Sequence, residues 1–74
     1  MTKSIKVQKD IKVDGEMIEL VQLLADDNTI EEVSELMGMN KRTLEGRILR
    51  IKSKCNVTTL YGLVALFFRN KLIK

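Results

Sequence analysis

Between Met17 and Cys55 the apolar residues recur at helical spacing, and that spacing is interrupted twice by residues that end one helix and start the next. Met17, Leu20, Val21, Leu24 and Ala25 follow i, i+3, i+4, i+7 and i+8, the apolar stripe of an amphipathic helix from Glu16 to about Asp26. Asp27-Asn28 breaks the pattern, and Thr29-Ile30-Glu31-Glu32 is a capping box: the threonine hydroxyl accepts from the N3 amide while Glu32 reaches back to the cap. A second helix therefore starts at Ile30, with Ile30, Val33, Leu36 and Met37 as its expected apolar face. Gly38 fits the left-handed position that follows a helix end, and Asn40 is a suitable N-cap for a third helix from Lys41 to about Cys55. Leu44, Ile48, Ile51 and Cys55 stand at offsets of 4, 7 and 11, so this helix buries one stripe. Asn56 is placed to end it, and Thr58 or Thr59 caps a fourth helix running to about Lys71.

The fold class expected is all-α, four helices with a short extended or strand-like N-terminal arm. Domain organisation is an arm over residues 1–13 and one domain over 14–74. In the arm Ile5/Val7 and Ile11/Val13 alternate with polar neighbours, a period-2 pattern, and Asp14-Gly15 is a turn signal. Seventy-four residues support a single core and leave no room for a second domain of typical size. The 45% apolar content with three aromatics and no proline suits a bundle packed with Leu, Ile, Val and Met.

Charge is segregated along the chain. Residues 1–13 hold Lys3, Lys6, Lys9 and Lys12 against Asp10; residues 14–40 hold eight acids and no base; residues 41–54 hold six bases against Glu45. Segregation of this kind points one surface at a polyanion more strongly than the formal net charge of +3 suggests. With no histidine and one cysteine, the usual zinc sets and an intrachain disulfide are excluded. Cys55 reads as a small core residue. No cofactor and no metal is expected, and no set of residues marks an enzyme site, because the acids lack a companion base or nucleophile. No signal peptide is visible, and the longest apolar run, Leu60 to Phe68, is interrupted by Gly62 and is far short of the ~20 residues of a membrane span. A cytoplasmic protein with no membrane and no small-molecule partner is the expectation.

Two consecutive helices joined by a tight turn form a helix-turn-helix arrangement, in which the second helix enters the major groove of DNA. With the buried stripe of helix 41–55 fixed, its opposite face is Arg42, Gly46, Leu49 and Ser53. Glu45 and Lys52 flank that face on one side, and Arg47, Arg50 and Lys54 on the other. The cations Lys41, Arg42, Arg47, Arg50, Lys52 and Lys54, with the hydroxyl of Thr29, are the phosphate-contact candidates, supplying affinity and register without sequence information. Eight of the nine residues 60–68 are apolar and cover more than one helix face, so Leu60, Tyr61, Val64, Phe67 and Phe68 are the candidate dimer interface, the alternative being a deep core helix whose back the N-terminal arm covers.

The pieces Leu23-Leu24-Ala25, Glu32-Val33, Leu36 with Gly38, Lys41-Arg42-Thr43-Leu44, Ile51 with Lys54, Val57 and Leu63-Val64-Ala65-Leu66, in their joint spacing, carry a family likeness. From about Val13 to Ile73, without a gap, the chain resembles the LuxR/NarL-type (GerE-like) DNA-binding domain of bacterial transcription regulators. The resemblance implies a four-helix domain that binds double-stranded DNA as a homodimer, often through its last helix, and recruits or blocks RNA polymerase. It implies that Thr43 meets the phosphate backbone and that Glu45, Gly46 and Leu49 read bases. Glu45 departs from the Lys or Arg common at its position, although a Thr-hydrophobe-Glu-Gly run is also familiar among response-regulator output domains. Glu31 stands where a lysine is common. A carboxylate at residue 45 can accept from cytosine N4, or it can pair on the surface with Lys41 or Arg50. The competing reading is a protein-interaction module of the same fold that binds another regulator and leaves DNA alone.

Overall fold

The computed structural model describes residues 13–74, and these form four helices: α1 (Gly15–Ala25), α2 (Ile30–Leu36), α3 (Lys41–Cys55) and α4 (Leu60–Arg69). No strand occurs among the described residues. The period-2 pattern expected at residues 5–12 lies outside them; Val13, its last member, is half-buried against the core.

Each helix starts on a side chain that accepts from the first-turn amides, which have no intrahelical partner of their own. Asp14 accepts from Met17 N at 2.9 Å, Asn40 from Thr43 N at 2.7 Å and Thr59 from Gly62 N at 2.9 Å. The capping box at Thr29 is complete: Glu32 N donates to Thr29 Oγ1 at 3.1 Å, and Thr29 N donates to Glu32 Oε1 at 2.7 Å.

The helix ends follow one plan. Gly38, Asn56 and Lys71 take left-handed backbone conformations with φ of 68°, 56° and 58°. One residue later, an amide donates back to the carbonyl five residues before it: Met39 to Ser34 at 2.9 Å, Val57 to Lys52 at 3.0 Å and Leu72 to Phe67 at 2.9 Å. This is the Schellman closure, in which the residue after the left-handed position also turns an apolar side chain inward. Met39, Val57 and Leu72 all pack on the core. The end of α1 is a variant. Asp27 is left-handed at φ 66°, and the side-chain amide of Asn28, instead of its backbone, donates to Leu23 O at 2.8 Å. The fourth helix stops at Arg69, earlier than its apolar pattern suggests, and the remaining residues fold back.

One core collects Met17, Leu20 and Val21 from α1, Val33 from α2, Leu44, Ile48, Ile51 and Cys55 from α3, and Leu63, Leu66 and Phe67 from α4, with Ile73 from the tail. The stripe expected on the third helix is buried in full. The tail is held by Gln22 on α1, whose Oε1 accepts from Lys74 N at 2.8 Å while its Nε2 donates to Lys74 O at 3.2 Å. Every buried side-chain polar atom among the described residues has a partner.

Leu36 is corrected by the structure. Its spacing places it on the apolar face of α2, yet it is 62% exposed. The inward direction of this helix lies between Val33 and Ser34, and at about 100° per residue Leu36 falls well away from it. Ser34 takes the inward place because its hydroxyl donates to Glu31 O at 2.8 Å.

Truncating Leu44, which has no exposed surface, to alanine should cost about 2–5 kcal/mol, measured by urea unfolding. Burial pushes the Cys55 thiol above its ordinary pKa, with nearby Lys54 offsetting part of the rise. In the native state at about pH 8 a soluble thiol reagent should therefore label Cys55 only as fast as the helices open, and urea should accelerate labelling sharply; rapid labelling without denaturant would contradict the burial.

Candidate nucleic-acid interface

Burial of Leu44, Ile48, Ile51 and Cys55 fixes the rotation of α3, and the residues opposite follow. Arg42, Gly46, Leu49 and Ser53 are all exposed, Leu49 by 66% despite its apolar side chain. Glu45 and Thr43 are exposed beside them. A Cβ built on Gly46 meets nothing within 4 Å, so no packing inside the domain requires a glycine there. The three residues expected to read bases thus share an open face whose shape the core does not dictate.

The expected phosphate contacts divide into two groups. Lys41 Nζ donates to Glu31 Oε2 on α2 at 3.2 Å, and Arg47 pairs with Glu16 on α1. Both pairs are half-exposed and join α3 to the acidic helices. Arg42, Arg50, Lys52 and Lys54 form no ion pair among the described residues, and neither does Glu45. The surface pairing of Glu45 with Lys41 or Arg50 is therefore absent, and Lys41 turns to Glu31 instead. Arg47, Arg50 and Lys54 line a shallow depression of about 140 Å³ together with Asp14, Glu16, Met17 and Ile51, so this flank of α3 adjoins the start of α1. Thr29 is placed differently from the other candidates. Its hydroxyl oxygen caps α2, and it lines an apolar groove against α4.

That groove, about 830 Å³, runs between the α1–α2 junction and the outer face of α4; its walls include Leu24, Ile30, Leu60, Tyr61, Val64 and Phe68. No residue of α3 lines it. Tyr61 is 88% exposed and Phe68 61%. Phe67 is corrected: at 1% exposure it belongs to the core and cannot offer a surface to a second chain. At about 100° per residue, adjacent phenylalanines on one helix must diverge, one inward and one outward.

The carboxyl of Glu31 is held below its ordinary pKa. Its own backbone N–H at the start of α2 lowers it most, and Lys41 lowers it further by hydrogen bonding and by charge. A carboxylate held below its ordinary value favours the folded state above that value and loses the contribution as pH falls through the lowered one. The ion pairs of Lys41 and Arg47 were not legible in the sequence, since Glu31 and Glu16 stand 10 and 31 residues away.

Among the described residues no group of His, Cys, Asp or Glu could hold a metal ion, and no helix is long and apolar enough to cross a membrane. Comparison of the chain with family models, with curated proteins and with solved structures finds no match.

Replacing Gly46 by alanine should stabilise the domain by up to about 1 kcal/mol in urea unfolding, as a helix-interior glycine with open space beyond it. In an NMR titration of carboxyl groups, Glu31 should titrate below the ordinary glutamate value of 4.5. Lys41→Gln should raise it only partway, because the backbone N–H of Glu31 still lowers it; full return to the ordinary value would contradict that backbone contribution.

Proposed function

We propose that this chain is a double-stranded DNA-binding domain of the LuxR/NarL type, with α2 and α3 as its helix-turn-helix, α3 as the major-groove helix and α4 as the helix through which two copies pair. The observation that carries the reading is the division of α3: one stripe buried, the opposite face open, and beside that face cations that form no ion pair among the described residues. A groove-binding helix needs this arrangement, since cations along its flanks can neutralise phosphates while the central face meets base edges.

Within this reading Arg42, Arg50, Lys52 and Lys54 are the first phosphate contacts. Lys41 and Arg47 join them by exchanging a carboxylate for a phosphate, and Thr43 adds a hydroxyl. Thr29 accepts from Glu32 N as the cap of α2 and keeps its O–H for a phosphate. Glu45 pairs with no cation among the described residues, so at a groove edge it either repels phosphate or accepts from cytosine N4, a contact worth about 1–3 kcal/mol of discrimination. Gly46 lets the helix backbone approach the bases, and Leu49 offers an apolar surface to a thymine methyl.

The second copy packs against the α4 groove through Leu60, Tyr61, Val64 and Phe68. Contiguous apolar surface of this kind on a small domain marks an interaction site. A twofold pair would place the two α3 helices on half-sites about 10 bp apart. In a bacterial cytoplasm such a dimer would regulate transcription by recruiting or blocking RNA polymerase. The same groove supports the second reading, a domain that binds another regulator through α4 and leaves DNA alone.

Selection from random duplexes at two salt concentrations separates these readings: DNA binding should weaken steeply with salt, whereas an apolar interface should respond little. Absence of binding to any duplex pool at low salt would refute the DNA reading. Glu45→Ala should relax preference at one position of the selected site; a uniform gain in affinity would make Glu45 purely repulsive. Tyr61→Ser combined with Phe68→Ser should give a folded monomer by light scattering and circular dichroism, and an unchanged mass would rule out pairing through those side chains.

A further inference from the structure

Two acids reach onto the basic helix α3 from two different helices. Glu16 in the first turn of α1 pairs with Arg47, and Glu31 in the first turn of α2 pairs with Lys41 at 3.2 Å. Both pairs are half-exposed, so they contribute little to stability. Glu31 is held from two sides, by its own backbone N–H and by Lys41. Glu19 and Glu35, one turn further along the same two helices, are exposed and form no ion pair among the described residues. The pairing thus singles out two acids and two of the six cations of residues 41–54.

We infer that Glu16 and Glu31 set how strongly the domain separates its own site from random duplex: they withhold Arg47 and Lys41 from loosely bound DNA and yield them only where α3 is seated in its groove. The inference rests on the DNA reading above and assigns part of its specificity to two positioning residues that act through the cations they hold. Random duplex is bound through its phosphates, and affinity rises with every cation that can neutralise one. A cation paired with a carboxylate brings no net charge, and reaching for a phosphate would leave that carboxylate unpaired beside a second anion. Arg42, Arg50, Lys52 and Lys54 form no ion pair among the described residues and are open to any duplex. At a preferred site the base contacts of α3 fix its depth and register, so phosphates come to rest against Lys41 and Arg47 and replace the carboxylates. The two acids therefore take two phosphate contacts from a random complex, while the site-bound complex loses only the difference between two partners for the same cation.

The test measures the affinity of the full chain for a random-sequence duplex and for a duplex obtained by site selection, over a range of potassium chloride concentrations. Glu16→Gln with Glu31→Gln keeps the shape of both side chains and removes their charge; its helical circular dichroism should equal that of the unaltered chain. On random duplex its slope of log affinity against log salt should steepen by about 0.9 for each cation released, up to about 1.8 for two. On the selected duplex the slope should stay where it was, because Lys41 and Arg47 already meet phosphate there. The ratio of selected to random affinity should fall, by a factor of about 5 at most for each pair removed. Glu16→Gln and Glu31→Gln taken singly should each produce one share of the change, which decides the matter if the double variant does not fold. Glu19→Gln with Glu35→Gln removes the same charge from the same helices without touching a pair, and should leave the ratio unchanged. An unchanged ratio in the Glu16/Glu31 variant overturns the inference while the DNA reading stands, and so does equal steepening on both duplexes. A fall in the control as large as in the variant also overturns it, since the acids would then act only through net charge. Selection that enriches no site overturns it too, and if the unaltered chain binds no duplex, the DNA reading and this inference fall together.

Discussion

The rotation of α3 about its own axis is set by one interaction, the burial of Leu44, Ile48, Ile51 and Cys55 against the other helices, and everything proposed for the molecule depends on that angle. A turn of about 100° would replace Gly46 and Leu49 by their neighbours on the outer face and carry the cations away from its edges. Hydrophobic burial is not directional by itself. It becomes so here because four apolar residues at strict helical spacing leave one orientation in which all are dry. Which residues this helix turns outward is thus a by-product of core packing on its far side.

Much of this was legible in the sequence because it is local chemistry. Thr29, Asn40 and Thr59 accept from amides three residues on, and Gly38 and Asn56 are residue types that tolerate left-handed backbone, so starts and ends can be read within a window of a few residues. Lys71 was not legible. Nothing in a lysine side chain favours φ of 58°, and the apolar partner that follows it, Leu72, imposes the turn from the tertiary side. Leu36 and Phe67 escape a sequence reading for a related reason: composition gives the amount of apolar surface on a helix, while its inward direction is decided by the helices it meets. On α2 that direction passes through a serine, whose hydroxyl is satisfied within its own turn.

The charge pattern was legible as a pattern and not as contacts. Acids on α1 and α2 and cations on α3 are evident in the chain; which acid meets which cation is not. Glu16 with Arg47 and Glu31 with Lys41 tie the acidic helices to the basic one. Exposed pairs of this kind add little to stability, being screened and costly in side-chain freedom. Their effect is to grade the cations of α3 into those that must leave a carboxylate before meeting another anion and those that need not. The exposed glycine at residue 46 belongs to the same account, since the core gives no reason for it.

The first helix meets the last residue of the chain. Gln22 on α1 grips the backbone of Lys74, and Phe67 and Ile73 seal the core that Leu20 and Val21 open. A polypeptide emerging from the ribosome presents α1, α2 and α3 first, and these three cannot close the core without the last turns of the fourth. Until residues 60–73 have cleared the exit tunnel, the side of the core that Leu63, Leu66, Phe67 and Ile73 cover stands open. A chain truncated after Cys55 is therefore a substrate for chaperones and proteases before it is anything else.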